Sequence, residues 1–292
     1  MALLPLLVLL AGTVTVAFGA ATARRSPPSR ESAVAAARAH AVRTAVAAIG
    51  LGLAAALYVG TTQLGNSSPG GLGITAILTL VTFGVVHTVV LGIGELTWPR
   101  PDGEVRRARL VHRGLLDAAP RRLVRATAAA ATLAVLTLVL GALLADDDGR
   151  SFSWSYAHGS SSAGPFPGLF YGLPAALGLG LLAALAAAVL WIVANRPAVA
   201  TADERIEAAL RRASAHRVLR VAAGIPLFVT GGLLFVGGNA VHSVVVMGAA
   251  PFLGPAGACV AVLGIVAMLA GVVVACLPAP TVPADSPAVP VS

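Results

Sequence analysis

Charge is missing from most of this chain and crowded into the rest. Residues 44–94, 126–145, 169–194 and 221–284 contain no Asp, Glu, Lys or Arg, and neither do residues 1–23. A helix needs about 20 apolar residues to cross the hydrocarbon of a bilayer, and there each backbone polar group must be satisfied within the spanning structure. Uncharged runs of this length therefore predict an all-α fold, a polytopic bundle of transmembrane helices. The composition agrees: 57% of the residues are hydrophobic and 11% charged, with a mean hydropathy of +0.87, where a soluble domain carries about 25% charged residues. A water-soluble globular enzyme, a disordered chain and a free nucleic-acid binder are excluded.

Turn-forming residues divide the runs. Gly65 to Gly71 interrupts 44–94, a Gly/Pro-containing connection near 238–255 interrupts 221–284, and a polar Gly/Ser-rich stretch fills 146–168. The reading is one transmembrane domain over 1–277 with about seven spans, near 2–22, 44–64, 72–94, 126–145, 169–194, 218–238 and 256–277. The remainder, 278–292, is rich in proline and small residues and reads as a disordered tail. Ala21-Thr22-Ala23 resembles a signal-peptide cleavage site. No positive region precedes that apolar run, however, and cleavage would leave five arginines outside, so an uncleaved first span is expected.

All twenty basic side chains are arginine. Five lie in 22–43, eight in 95–125 and six in 195–220, segments separated by even numbers of spans, so one side of the membrane can hold nineteen of them. The positive-inside rule places that side in the cytoplasm of a plasma membrane, with the N-terminus outside and the C-terminus inside. The expected partners are membrane lipids, with anionic headgroups at the arginine-rich loops, and a membrane protein; the pI of about 11.1 reports topology here, not nucleic acid. The absence of lysine removes Schiff-base, P-loop and lysine-base chemistry, including a retinal photoreceptor. Cys259 and Cys276 stand 17 residues apart on one expected helix, roughly 25 Å, too far to bridge.

Each basic segment follows an odd-numbered span and leads into an even-numbered one. Arg24-Arg25-Ser26-Pro27, Trp98-Pro99-Arg100-Pro101 and Asn195-Arg196-Pro197 mark the exits, and Ala39-His40 before Arg43 matches Ala215-His216 before Arg220. This pattern reads as three parallel two-helix repeats plus one span, although arginine-flanked apolar helices share such features in general. Residues 201–217 read as a short amphipathic helix, with Thr201 and Glu204 as a capping box, Glu207 and Arg211 one turn apart, and Ile206 and Leu210 facing the membrane or the bundle. Segment 102–118 mixes Val105, Leu110, Val111 and Leu115 with arginines similarly. Both serve as solvated connectors or as docks for anionic lipid.

Chemistry is thinly represented. His87, well inside a span, is either a neutral imidazole bonded to a neighbour or a proton, metal or haem ligand that lacks a second residue. His158 lies beside Ser160, Ser161 and Ser162 in the outer loop, and Asp146 to Asp148 offer oxygen ligands to a hard cation or cap a helix end. Trp154, Tyr156 and Phe166 are expected at the lipid interface. Gly178/Gly180 and Gly231/Gly232 are read as sites of close helix packing, and Pro174 and Pro226 as bends. His87 and His158 are thus weak candidates; no catalytic set, cofactor or metal is expected.

The stretch Gly94-Glu95-Leu96-Thr97-Trp98-Pro99-Arg100-Pro101, followed by Arg106-Arg107, resembles a segment of small multi-pass integral membrane proteins of high-GC bacteria. The resemblance implies a similar helical bundle and no particular activity. The expected role is a non-catalytic membrane component or accessory subunit that binds partner proteins or lipids. The alternatives are a permease for a neutral or lipidic solute, with its cavity at Pro174 and Pro226, and a membrane enzyme using His87 or the His158 loop.

Overall fold

The computed structural model describes residues 32–63, 70–99, 114–156, 159–199, 204–246 and 252–283. In chain order these form α1 (Ser32–Gln63), α2 (Gly71–Leu96), α3 (Arg121–Leu144), the strands β1 (Phe152–Tyr156) and β2 (Gly159–Ala163), α4 (Leu169–Asn195), α5 (Glu204–Val246) and α6 (Leu253–Ala275). All six helices are long and apolar enough to cross a membrane, so the chain is a polytopic helical membrane protein. They correspond to the second to seventh expected spans. The first expected span, 2–22, and the tail beyond 283 lie outside the described residues.

Two helices begin well before their apolar stretches. α1 starts at Ser32, because Ser32 to Ile49 holds no Gly or Pro and is rich in Ala and Arg, strong helix formers. α5 is one helix of 43 residues. The amphipathic helix and the span expected as neighbours are thus continuous, and the helix runs to Val246, past the expected end near 238. Pro226 and Pro174 both lie within continuous helices.

α5 is the centre of the bundle: it touches each of the other five helices, and its apolar stretch is the most buried of the six. α2 packs between α1 and α4 and against α5. Leu91, Leu123, Val189, Val193, Val218 and Leu219 form one core cluster; Ile77, Val81, Tyr171, Leu182, Ile225 and Val229 form the next along the bundle. Leu136, Leu140 and Leu143 on α3, and Leu263, Val266 and Leu269 on α6, face outward, where lipid tails solvate apolar side chains as well as a protein core does.

The alternation of helix directions collects the starts of α1, α3 and α5 and the ends of α2, α4 and α6 at one end of the bundle, with the described arginines except Arg150. At the other end, residues 146–168 do not form an irregular loop. Their centre is an antiparallel hairpin in which Trp154 faces Ser161. Phe166 is buried against Phe152, beside Ala240 and Val244, and Trp154 meets Phe252 edge-on at 6.1 Å. Only Tyr156 of the three expected interface aromatics is exposed.

The α5–α6 contact has a periodic cause. Gly224, Gly231 and Gly238 recur every seven residues on α5, and Gly257, Gly264 and Gly271 do so on antiparallel α6. Seven residues are close to two helical turns, so each set forms one stripe. A Cβ on Gly231 would lie 2.6 Å from the Gly264 carbonyl oxygen, and one on Gly238 the same distance from that of Gly257. The backbones meet where no side chain fits. Of the paired glycines noted in the sequence, one member of each has this role: Gly178 meets Val81 and Gly231 meets α6, whereas Gly180 and Gly232 face open space. Gly231→Ala should therefore destabilise the protein by about 1–3 kcal/mol, as overpacking does, while Gly232→Ala leaves it unchanged or gains up to about 1 kcal/mol of helix propensity. Thermal unfolding of both variants in detergent checks the contrast.

Candidate functional site

The principal cluster of buried charge lies at the arginine-rich end. Glu95 sits in the last turn of α2, Arg196 just after α4, and Glu207, Arg211, Arg217 and Arg220 along the first half of α5. Arg196 Nε stands 3.5 Å from Glu95, Arg211 Nε 2.7 Å from Glu207, and Arg217 4.0 Å from Glu95. Glu95, Arg196, Glu207, Arg211 and Arg220 are all buried. The expected Glu207–Arg211 pair forms, but the connector is not solvated. It is packed into the bundle, with Ile206 and Leu210 against Val34 of α1 and Val282 beyond α6. Thr201 and most of segment 102–118 lie outside the described residues.

The pairs also complete the backbone. The final carbonyls of a helix lack partners within it, and Arg211 donates to those of Val193 at 2.6 Å, Ala194 at 2.8 Å and Arg196 at 2.6 Å. One cation thereby closes the C-terminus of α4, where the helix dipole favours positive charge. Glu207 Oε2 accepts the Val199 amide at 3.0 Å. Arg196 stacks over the Trp98 ring, its guanidinium carbon 3.7 Å from the centroid. Burial lowers the Arg196 pKa from the ordinary arginine value, against the pull of the Glu95 and Glu207 carboxylates. The stacked ring further favours the cation.

Gly94, Glu95, Thr97 and Trp98 form the other half of this clamp. His40 of α1 bonds through Nε2 to the Gly94 carbonyl at 2.9 Å, which requires the Nε2–H tautomer, and its ring meets Trp98 edge-on at 5.8 Å. The Thr97 hydroxyl donates to the Ile93 carbonyl at 2.9 Å. Gly94 leaves room for Thr44 of α1. Glu95, Thr97, Trp98, Arg196 and His40 therefore tie α1, α2, α4 and α5 together. Two signals for this were present in the sequence: Arg196 and Trp98 both mark span exits, and Glu95 is the only acid at the end of an apolar run on that side before Asp102.

His87 is 1% exposed, lies 5.7 Å from Phe83 ring to ring, and among the described residues its Nδ1 has no hydrogen-bond partner. His158 lies outside the described residues. Asp146 accepts the hydroxyls of Ser151 at 3.1 Å and Ser153 at 2.6 Å, and Asp148 accepts the amides of Arg150 and Ser151, each at 2.9 Å. These carboxylates organise the turn leading into the hairpin. Among the described residues no three His, Cys, Asp or Glu side chains converge as metal ligands would. Cys259 and Cys276 are free thiols.

The fold and this end of it define a multi-pass α-helical membrane protein whose helices are joined by a buried ionic clamp. No protein-family model matches the chain, and no curated protein or solved structure is significantly similar to it.

Removing one partner of a buried ion pair strands the other charge, at a cost of about 3–5 kcal/mol. Glu207→Ala should lower thermal stability by that amount, whereas Asp147→Ala, at an exposed side chain, changes it by less than about 0.5 kcal/mol. The hairpin turn has its own pH dependence. The Arg150 amide, with help from Ser151, holds the Asp148 carboxyl below its ordinary pKa. A depressed folded pKa means that the stabilisation is complete above the unfolded value and is lost as the pH falls through the folded one. Trp154 fluorescence, in a variant without the other tryptophans, should be constant from neutral pH to the ordinary carboxylate range and change below it. Asp148→Asn should reproduce the acid spectrum at neutral pH.

Proposed function

We propose that this chain is a non-catalytic component of a bacterial plasma membrane, an accessory subunit that packs against a partner membrane protein or lipids, with its arginine-rich end in the cytoplasm. The observation that carries this reading is the use made of buried polarity. Glu95, Arg196, Glu207 and Arg211 engage one another and helix termini. The hydroxyls of Thr75, Thr79 and Thr88 donate to carbonyls one turn back in their own helix. Ionisable residues inside a membrane are costly and ordinarily mark a pathway or a reacting centre; here Glu95, Arg196, Glu207 and Arg211 join helices. The apolar outer faces of α3 and α6 support the second half of the reading, since they offer long surfaces to a neighbouring helix.

Photo-crosslinking residues placed at Leu140 and Leu269 in native membranes test it. A single membrane-protein adduct of constant stoichiometry is the expected result at one of these faces. Lipid adducts alone at both positions would overturn the protein-partner half of this reading and leave the lipid half.

A further inference from the structure

Among the described residues the charges of the clamp do not balance. Four guanidinium groups, those of Arg196, Arg211, Arg217 and Arg220, share the arginine-rich end with the carboxylates of Glu95 and Glu207. Arg196 and Arg211 have close carboxylates, and Arg217 stands 4.0 Å from Glu95 and 3.0 Å from the Ser214 hydroxyl. Arg220 has none among the described residues. It is 4% exposed, and among the described residues its one bond is a long 3.4 Å contact from Nη1 to the Leu277 carbonyl and its Nε has no partner. A guanidinium carries five N–H donors, so most of its capacity is unused. Nearby, His216 is 5% exposed with an unpartnered Nδ1, and His87 lacks a partner at the same atom.

A buried cation without a counter-charge is among the costliest arrangements a fold can hold. A group able to complete it is anionic and rich in acceptor oxygens. Position narrows it further: Arg220 is the last charged residue before the run 221–284, and it bonds to Leu277, two residues past the end of α6. That is the level at which hydrocarbon gives way to headgroups, and a planar guanidinium fork matches the oxygens of a phosphate.

We propose that Arg220, with Arg217 beside it and His216 on the same face of α5, forms a binding site for the phosphate of an anionic ligand at the arginine-rich end, between α5 and the end of α6. The phosphate takes the free donors of Arg220 and supplies the negative charge that the clamp lacks. The site rests on the membrane reading and not on the accessory role, because a bound phosphate requires no protein partner.

The test uses the full-length protein exchanged into non-ionic detergent, with thermal unfolding followed against added phosphatidylglycerol, phosphatidylcholine and inorganic phosphate. Phosphatidylglycerol should raise the melting midpoint saturably while phosphatidylcholine does not, which assigns the phosphate to a lipid. Saturable stabilisation by inorganic phosphate without lipid supports the same site and assigns it to a soluble ligand. In either case Arg220→Met should weaken the response at least about tenfold, the loss of one charge-assisted bond, while Arg125→Gln, at an exposed arginine of α3, retains it. Arg220→Lys keeps the charge without the fork and covers the case in which Arg220→Met does not fold; it too should bind more weakly. The proposal is overturned if neither phosphate source stabilises the wild type, or if the response is independent of residue 220. Loss of the crosslinked protein partner with the phosphate response intact would remove the accessory role and leave this site standing.

Discussion

Arg211 is the side chain on which the arginine-rich end depends. Its guanidinium reaches the last carbonyls of α4, the carbonyl of Arg196 and the carboxylate of Glu207 at once. A helix terminus at the edge of a membrane has carbonyls that neither lipid nor the helix itself can satisfy. Only a donor with several N–H groups in a fixed plane serves several of them together, and arginine has that geometry where lysine does not. The neighbouring features follow from this contact. Glu207 is needed to neutralise Arg211, its second oxygen then holds the Val199 amide, and Val199 lies against Trp98 and α1.

Packing in the hydrocarbon obeys a different rule. Burying apolar side chains from lipid gains little, so helices associate through close van der Waals contact between backbones and through the few polar groups that find partners. The stripes at Gly224, Gly231 and Gly238 and at Gly257, Gly264 and Gly271 answer that rule. They bring α5 and α6 together without side chains between them. α5 thus meets α6 through backbone along its apolar half and is fastened to α2 and α4 through ions along its polar half, which accounts for its central place. The ionic half also carries Arg220, which has no close carboxylate among the described residues, so the same helix that organises the bundle offers the proposed anion-binding site.

Much of the fold was legible before any tertiary contact. Charge-free runs marked six of the helices to within a few residues at most ends, the arginine clusters indicated that alternate ends belong together, and the spacing of Glu207 and Arg211 predicted their pair. The errors have physical reasons. Reading 201–217 as solvated was reasonable for a segment rich in charge, but burial is decided by partners on other helices, and Glu95 and the α4 carbonyls are remote in sequence. The hairpin at 152–163 escaped notice because its strands are Ser/Gly-rich and their pairing is set by register and by Phe152 and Phe166. His87 stands isolated in an apolar span, and among the described residues its Nδ1 meets no hydrogen-bond partner.

What the sequence by itself determined is the solvent of each segment. Transfer of charge or apolar surface between water and hydrocarbon is a local quantity, summed along the chain, so helix number, length and the side on which arginines collect can be read without a structure. What only the tertiary structure decided is which polar groups meet. Whether Arg196 finds Glu95, whether Gly231 or Gly232 faces α6, and whether Arg220 is left without a counter-charge depend on rotations of helices about their axes. Those rotations are set by contacts between residues far apart in the chain, and no local property records them.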